Sequence, residues 1–216
     1  MINDISFHGN YIDISLDEED INSFKVTKKC LRYIDSIRNS LDGVYIFDQV
    51  SIDNVLKSIV VDKGICLELS IIFLRMASIY QNIQVFQYIN DEYYLPYIVF
   101  SVDNNYVVCN DYCYINSFFN YLDECFWNLS IDDIKLVSSK YNLSFLNDDI
   151  HYICVDDFYT ITDILNNIDL NGDNVIVGGN DIVFDLAVSL GIKYVLIDKN
   201  SNINSFFDIV NKLDIY

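Results

Sequence analysis

A mixed α and β protein in two parts is the fold class that the sequence predicts, with an α+β part at residues 1–145 and a small α/β part at residues 146–216. Two changes of hydrophobic period carry this prediction. An apolar helical pattern gives way to strand patterns near residue 83, and after residue 150 short strands alternate with helices. Alternating strands and helices favour parallel strands joined by right-handed crossovers.

The first part begins with short elements and leads to one long helix. Residues 1–15 alternate apolar and polar side chains, which indicates a short strand or an ordered arm. The acidic run at residues 17–20 suits a helix start, and apolar residues then recur at near-helical spacing from Phe24 to Ile37. Ser51 is expected to cap a second short helix. The helix from Ile65 to about Ile79 is apolar nearly all round, so we expect it to be central and buried.

Strand patterns follow this helix, and the last two of them are predicted to form a hairpin around the turn sequence Asp103-Asn104-Asn105. The predicted strands are residues 83–88, 97–102 and 106–109. Two helical patterns, at residues 118–126 and 131–141, complete the first part.

The second part is predicted to alternate strands and helices, with Gly191 closing its second helix. The predicted strands are residues 152–155, 174–177 and 193–197, and the predicted helices are residues 160–168, 181–190 and 203–213.

Charge and composition bear on partners and location. The chain has 32 Asp and Glu against 13 Lys and Arg, a net charge of −19, so we expect it to bind no nucleic acid.

The chain start does not read as a signal peptide, and no apolar run reaches the ~18 residues of a membrane span, so a cytoplasmic protein without membrane contact is expected. The six cysteines lack a disulfide spacing. Cys109 and Cys113 lack a second ligand pair, so no metal and no cofactor are expected.

The most informative stretch is Lys63-Gly64-Ile65-Cys66, at the start of the apolar helix. A helix N-terminus carries partial positive charge and free N–H groups, so it favours thiolate over thiol. A nucleophilic thiolate also needs a base within hydrogen-bond reach. The chain has two histidines, His8 and His151, and His151 is the candidate base because it lies near the predicted boundary. Cys66 can equally be a packing residue, because free cysteine is among the most buried residue types.

About residues 20–115 resemble the transglutaminase-like superfamily of papain-type folds. Members open a buried helix with a lysine- or arginine-glycine-x-cysteine step and follow it with antiparallel strands, and Lys63-Gly64-Ile65-Cys66 matches that step. The resemblance implies a catalytic cysteine, a histidine that starts one strand and an acid that ends the next. Here the histidine position reads Leu95-Pro96-Tyr97, and the acid position falls on Asn110 or, one residue later, on Asp111. The resemblance therefore implies a papain-like unit without its catalytic base.

The second part resembles the distal lobe of the N-terminal ligand-sensing domain of propionate-catabolism activators. The residues that carry this resemblance are Asn174–Gly179, Leu186-Ala187, Gly191-Ile192, Val195–Ile197 and Ile203. The resemblance implies a Rossmann-like unit that senses a small organic acid.

The turn Gly178-Gly179-Asn180 is the candidate ligand site of the second part. A strand–glycine–helix turn exposes backbone N–H groups that can hold an anion or a carboxylate. The glycines can instead serve a tight turn in which Asn180 or Asp181 caps the helix. Asp156 follows the first strand of this part, at the edge where α/β proteins bind ligands, so it joins the candidate set.

Three functions remain open at this point. The one we favour is a non-catalytic transglutaminase-like module that binds a protein or peptide partner. The second is an active cysteine hydrolase or acyltransferase, with Cys66 as the nucleophile and a replaced base. The third is a sensor of a small anionic ligand. The missing histidine separates the first function from the second.

Overall fold

The computed structural model describes most of the chain. The described residues are 1–16, 21–90, 92, 94–102, 105–125, 127–146, 151–168, 174–178, 182–199 and 203–212. Their contacts divide the chain into two compact units. Unit 1 is Met1–Tyr88 with Asp156–Ile168, and unit 2 is Ile89–Val155 with Asp169–Tyr216.

The elements within these ranges are numbered in chain order. The strands are β1 (Asp4–His8), β2 (Tyr11–Ser15), β3 (Ile21–Lys25), β4 (Tyr97–Val102), β5 (Asn105–Cys109), β6 (Leu143–Phe145), β7 (His151–Cys154), β8 (Asn174–Val177) and β9 (Tyr194–Ile197). The α-helices are α1 (Ile34–Leu41), α2 (Gln49–Ile59), α3 (Lys63–Gln81), α4 (Val85–Ile89), α5 (Tyr112–Glu124), α6 (Ile131–Tyr141), α7 (Ile161–Asn167), α8 (Ile182–Leu190) and α9 (Ile203–Lys212). Two 3-10 helices, Lys28–Tyr33 and Val155–Asp157, accompany them. The chain is therefore a mixed α and β protein, as predicted.

Unit 1 begins with a three-stranded antiparallel sheet in the order β1-β2-β3. Side chains alternate between the faces of a strand, and this places Ile5 and Ile12 in the core. Gly9 has φ +64°, a left-handed conformation that suits the tight turn between β1 and β2. The predicted strand or arm at residues 1–15 is thus a hairpin. Phe24, predicted to open a helix, instead pairs opposite Ile12 in β3.

Helix α3 forms the centre of unit 1. The Asp62 carboxylate accepts a hydrogen bond from the Ile65 N–H at 3.3 Å, and Asn82 ends the helix in a left-handed conformation with φ 55°. Twelve residues of α3 are buried, which confirms the predicted central helix. In the described part of the chain α3 alone is long and apolar enough to cross a membrane, but 67% of its apolar window is buried inside the protein. That burial is typical of the core helix of a soluble domain.

Two local predictions for unit 1 are wrong, and a third falls on residues that the structure does not describe. Asp48, not Ser51, caps α2, because the Asp48 carboxylate accepts the Ser51 N–H at 3.0 Å and the Ser51 hydroxyl at 2.6 Å. The strand predicted at residues 83–88 is wrong, since the short helix α4 occupies most of that segment. The left-handed turn at Asn82 redirects the chain into this helix. The helix start predicted at residues 17–20 lies outside the described residues.

Unit 2 contains a six-stranded sheet in the order β6-β5-β4-β9-β8-β7. Strands β4, β5 and β6 pair in antiparallel fashion, which confirms the predicted hairpin. Strands β7, β8 and β9 pair in parallel, as the alternation of strands and helices predicts. Strand β9 also pairs in parallel with β4, so that Tyr97 lies opposite Tyr194. Val99, Val108 and Val175 are buried and form a hydrophobic cluster with Tyr194 of the same sheet.

The structure does not divide the chain near residue 145. Strands from both sides of that position share the sheet of unit 2, and three come from each side. The helix α7, predicted within the second part, belongs by its contacts to unit 1. The pairing of β4 with β9 joins segments almost a hundred residues apart, and no local pattern specifies such a pairing.

Candidate functional site

Cys66 lies in the first turn of α3, where the sequence analysis expects it. Its N–H donates to the Asp62 carbonyl at 2.9 Å, so Cys66 forms the first helical hydrogen bond after the cap. Its side chain is 0% exposed and packs in the core of unit 1 with Leu69 and Leu56. The thiol is therefore an interior group, shielded from solvent.

The surroundings of Cys66 oppose ionisation. Burial first, and then the carboxylates of Asp53 and Asp163, raise the pKa of the thiol to about 12, while Lys57 alone acts to lower it. The helix N-terminus, which favours thiolate, contributes only about 0.3–1 kcal/mol in ordinary settings. Desolvation and like charge outweigh that contribution here. Cys66 is a neutral thiol at physiological pH, contrary to the expectation of a favoured thiolate.

Asp53, on α2, is a buried carboxylate with a full set of hydrogen bonds. One oxygen accepts from the Gln49 amide at 2.8 Å and from the Ser70 hydroxyl at 2.6 Å. The other accepts from Thr162, from its N–H at 2.9 Å and from its hydroxyl at 2.6 Å. A buried carboxylate needs such donors to offset its desolvation. No sequence signal separates Asp53 from the surface acids of this chain, except that it lies between Ile52 and Leu56 on the apolar face of α2.

The same contacts hold the start of α7 against α2 and α3. The Ser70 hydroxyl accepts from the Ile161 N–H at 2.9 Å, and Thr160 caps the helix by accepting from the Asp163 N–H at 3.3 Å. Lys57 and Asp163 form an ion pair at 2.8 Å. Free N–H groups at a helix N-terminus favour a carboxylate, and Asp53 supplies it. The arrangement joins three helices, and both oxygens of the Asp53 carboxylate are occupied.

The other predicted catalytic residues lie in unit 2, whereas Cys66 lies in unit 1. The Asn110 amide donates to the Asn142 carbonyl at 2.9 Å and accepts from the Ser144 hydroxyl at 3.1 Å, so it ties β5 to the start of β6. The Asp111 carboxylate caps α5 by accepting from the Cys113 N–H at 3.0 Å. His151 begins β7 and is exposed. Asn110 and Asp111 thus make hydrogen bonds within unit 2, and His151 lies at the surface of the same unit.

Of the predicted ligand residues, Gly178 and Asp156 are described. A Cβ at Gly178 would lie 3.0 Å from Val183 Cγ1 and 3.1 Å from Val155 Cβ. The glycine therefore permits close packing of β8 against its neighbours, a role that needs no ligand. Asp156 is exposed in the 3-10 helix Val155–Asp157 and belongs to unit 1. Gly179 and Asn180 lie outside the described residues.

Glu68, two residues after Cys66, is half-buried and forms a contact that the sequence analysis does not single out. Its carboxylate accepts from the Thr27 N–H at 2.8 Å and from the Thr27 hydroxyl at 3.0 Å. The Cys30 thiol donates to the same carboxylate at 3.5 Å. Burial, together with the charge of Glu68, raises the pKa of Cys30 to about 11. This contact joins the 3-10 helix Lys28–Tyr33 to α3 and leaves a second neutral thiol.

A cavity of about 340 Å³ opens at the far end of α3 and was not predicted. Arg75 and Ile79 line it from α3, Phe24 lines it from β3, and Ile83 and Val85 complete it from the turn into α4. A signal for it exists in the sequence, because Arg75 is the one charged residue in the otherwise uncharged stretch from 69 to 81.

The fold and these sites define a mixed α and β protein whose core contains neutral thiols and the hydrogen-bonded carboxylate of Asp53. The part of the chain that the structure describes holds no group of three or more His, Cys, Asp or Glu side chains arranged for a metal ion. Neither a family model nor a curated protein matches this chain.

Proposed function

We propose that this chain is a non-catalytic binding module with a transglutaminase-like first part. The state of Cys66 carries the proposal. A thiol nucleophile reacts as its thiolate, and a pKa of about 12 leaves about one thiol in 10⁴ ionised at pH 8. The side chain is also wholly buried, so a substrate has no path to the sulfur without local opening.

The absence of a base supports the same proposal. Across the described residues, no side chain hydrogen bonds to the Cys66 sulfur, and both histidines of the chain are exposed. The carboxylates of Asp53 and Asp163 disfavour ionisation of the thiol, and their effect on its pKa is larger than the opposite effect of Lys57. In enzymes with a catalytic triad, loss of the base lowers the catalytic rate by several orders of magnitude.

Exposed aromatic side chains in unit 1 support a binding role. Tyr45 and Tyr80 are 56% and 50% exposed, and their rings lie 5.1 and 5.8 Å from that of Phe47. Tyrosine is enriched in protein interfaces because it offers a large apolar ring with a polar end. These residues favour the protein or peptide partner that the sequence analysis expects.

An assay of peptide and ester hydrolysis tests the proposal. The wild-type chain, Cys66→Ala and the matched control Cys113→Ala are compared on the same fluorogenic substrates, since Cys113 is an exposed cysteine of the same chain. We expect the three proteins to show the same background rate. Turnover that Cys66→Ala abolishes and Cys113→Ala retains would establish a cysteine hydrolase and overturn the proposal.

The cavity beside Arg75 supports a second candidate function, the binding of a small anion. The sequence analysis places such a ligand at residues 178–180. The contacts of Gly178 favour packing there, whereas the Arg75 cavity offers a cation and apolar walls.

A further inference from the structure

We infer that the cavity at the C-terminal end of α3 binds a small monocarboxylate with an apolar body, with Arg75 holding the carboxylate. The inference rests on the proposed function, because it assigns a ligand to the non-catalytic binding module proposed above. It names a site in unit 1 that the sequence analysis does not single out, and it narrows the expected anionic ligand to a monocarboxylate with an apolar body.

Among the residues that the structure describes, Arg75 has no charged or hydrogen-bonded partner for its guanidinium. Its side chain is half-buried, yet no carboxylate of the described chain lies within ion-pair distance of it, and no acceptor there takes a hydrogen bond from its guanidinium. A guanidinium carries five donors in a planar fork that matches a carboxylate in bidentate geometry. With no acidic partner among the described residues, Arg75 can present this fork to the carboxylate of another molecule.

The end of α3 does not need Arg75 as a cap. The Asn82 N–H donates to the Ile79 carbonyl at 2.9 Å, and the Ile83 N–H donates to the Ser78 carbonyl at 3.1 Å. These bonds occupy carbonyls that a basic side chain near a helix C-terminus otherwise binds. The Arg75 carbonyl itself accepts from the Ser78 hydroxyl at 2.8 Å. The guanidinium is therefore available to a ligand in the cavity.

The shape and walls of the cavity select the rest of the ligand. Arg75, Ile79 and Asn82 recur at spacings of four and three, so they lie along one face of α3. Phe24, Ile83 and Val85 surround that face with apolar surface. A volume of about 340 Å³ is at the small end of the range of ligand pockets. These features fit a short aliphatic or aromatic body that carries one polar end.

Charge favours a single carboxylate over a phosphate. The site offers one guanidinium, and the whole chain has a net charge of −19. A dianion meets more repulsion from that field than a monoanion does, and one arginine cannot neutralise it. A monocarboxylate can make the same bidentate contact with the guanidinium, and it carries half the charge of a dianion.

Isothermal titration calorimetry with hexanoate tests the inference. Hexanamide and inorganic phosphate are titrated for comparison, hexanamide because it lacks the charge and phosphate because it lacks the apolar body. We expect wild-type protein to bind hexanoate and to bind hexanamide and phosphate at least about tenfold more weakly, because a charge-assisted pair is worth that much. Arg75→Gln is expected to lose about tenfold or more of the hexanoate affinity. Arg32→Gln, an exposed arginine of the same unit, is the control for the change of net charge and is expected to bind like wild type.

The location of binding is read from the protein itself. Methyl NMR spectra of isoleucine-labelled wild-type protein are expected to show hexanoate-induced shifts at Ile79 and Ile83 and none at Ile115 and Ile134 of unit 2. This readout stands even where Arg75→Gln does not fold. Absence of hexanoate binding, equal binding by Arg75→Gln, shifts outside the cavity or tighter binding of phosphate would each overturn the inference. None of these outcomes bears on the Cys66 assay, so the two proposals fail separately.

Discussion

Asp53 and Thr162 are joined by two hydrogen bonds, although 109 residues separate them in the sequence. The carboxylate on α2 accepts both the N–H of Thr162 at 2.9 Å and its hydroxyl at 2.6 Å, at the first turn of α7. Ser70 on α3 donates to the same carboxylate. This contact explains why residues 156–168 belong to unit 1.

Replacement of Asp53 by alanine is expected to lower the free energy of unfolding by about 3 kcal/mol or more. The change leaves donors on Gln49, Ser70 and Thr162 without their acceptor inside the protein, and unpaired buried donors are costly. Urea unfolding followed by circular dichroism measures the effect. Asp157→Ala is the control, because Asp157 has a 76% exposed side chain and a long ion pair with Lys63 at 3.7 Å. An equal loss of unfolding free energy in both variants would mean that the hydrogen bonds of Asp53 do not stabilise unit 1.

Ser70→Ala is expected to cost about 1–3 kcal/mol of unfolding free energy, because the Ile161 N–H loses its acceptor and Asp53 loses a donor. Ser58→Ala provides the comparison. The Ser58 hydroxyl makes one exposed bond to the Val55 carbonyl, so its loss is expected to change stability by less than about 0.5 kcal/mol. The same urea titration distinguishes the two, and a Ser70→Ala protein as stable as Ser58→Ala would contradict the account.

Stability is expected to fall at alkaline pH in a way that depends on Cys66. The pKa of this thiol rises from its ordinary value of 9.0 to about 12 in the folded protein. The folded state therefore holds the proton more tightly, so the contribution is complete below pH 9 and is lost as the pH rises from 9 towards 12. Between pH 9 and 10.5 the wild type is expected to lose about 1.5 kcal/mol more than Cys66→Ala. Parallel pH profiles for the two proteins would show that the thiol is not perturbed.

Two glycine substitutions are expected to have opposite effects. Gly178→Ala places a methyl group within about 3 Å of buried valine side chains, and overpacking of this kind costs about 1–3 kcal/mol. Gly64→Ala meets only the Asp62 carboxylate, at 3.6 Å, in the first turn of α3. Alanine is favoured there over glycine, so a gain of up to about 1 kcal/mol is expected. Thermal and urea unfolding measure the stability of each variant relative to the wild type. A Gly178→Ala protein of unchanged stability would reopen the turn as a ligand site.

Local pattern predicted those elements whose determinants are local. Helix α3 has its cap at Asp62, its apolar sequence and its end at Asn82 within one stretch, and the hairpin pairs two strands, β4 and β5, that follow each other in the sequence. The segment 83–88 failed because a short apolar run fits a strand or a helix equally well, and the turn at Asn82 decides between them.

Contacts between distant segments were not predictable. The pairing of β4 with β9 and the junction of Asp53 with Thr162 each depend on how remote parts of the chain meet. For the same reason the position of Cys66 was predicted but the pKa of its thiol was not. The first-turn position is a local property, whereas the burial and the carboxylates of Asp53 and Asp163 come from packing of α2 and α7.

The most direct test of the central claim is the rate at which iodoacetamide alkylates Cys66 in the native protein at pH 8, followed by peptide mass spectrometry. Exposed Cys113 serves as the internal reference. The account predicts that Cys113 is labelled while Cys66 stays unmodified until urea unfolds the protein, because the buried thiol is neutral and inaccessible. Labelling of native Cys66 as fast as that of Cys113 would show a reactive thiolate and would contradict the account.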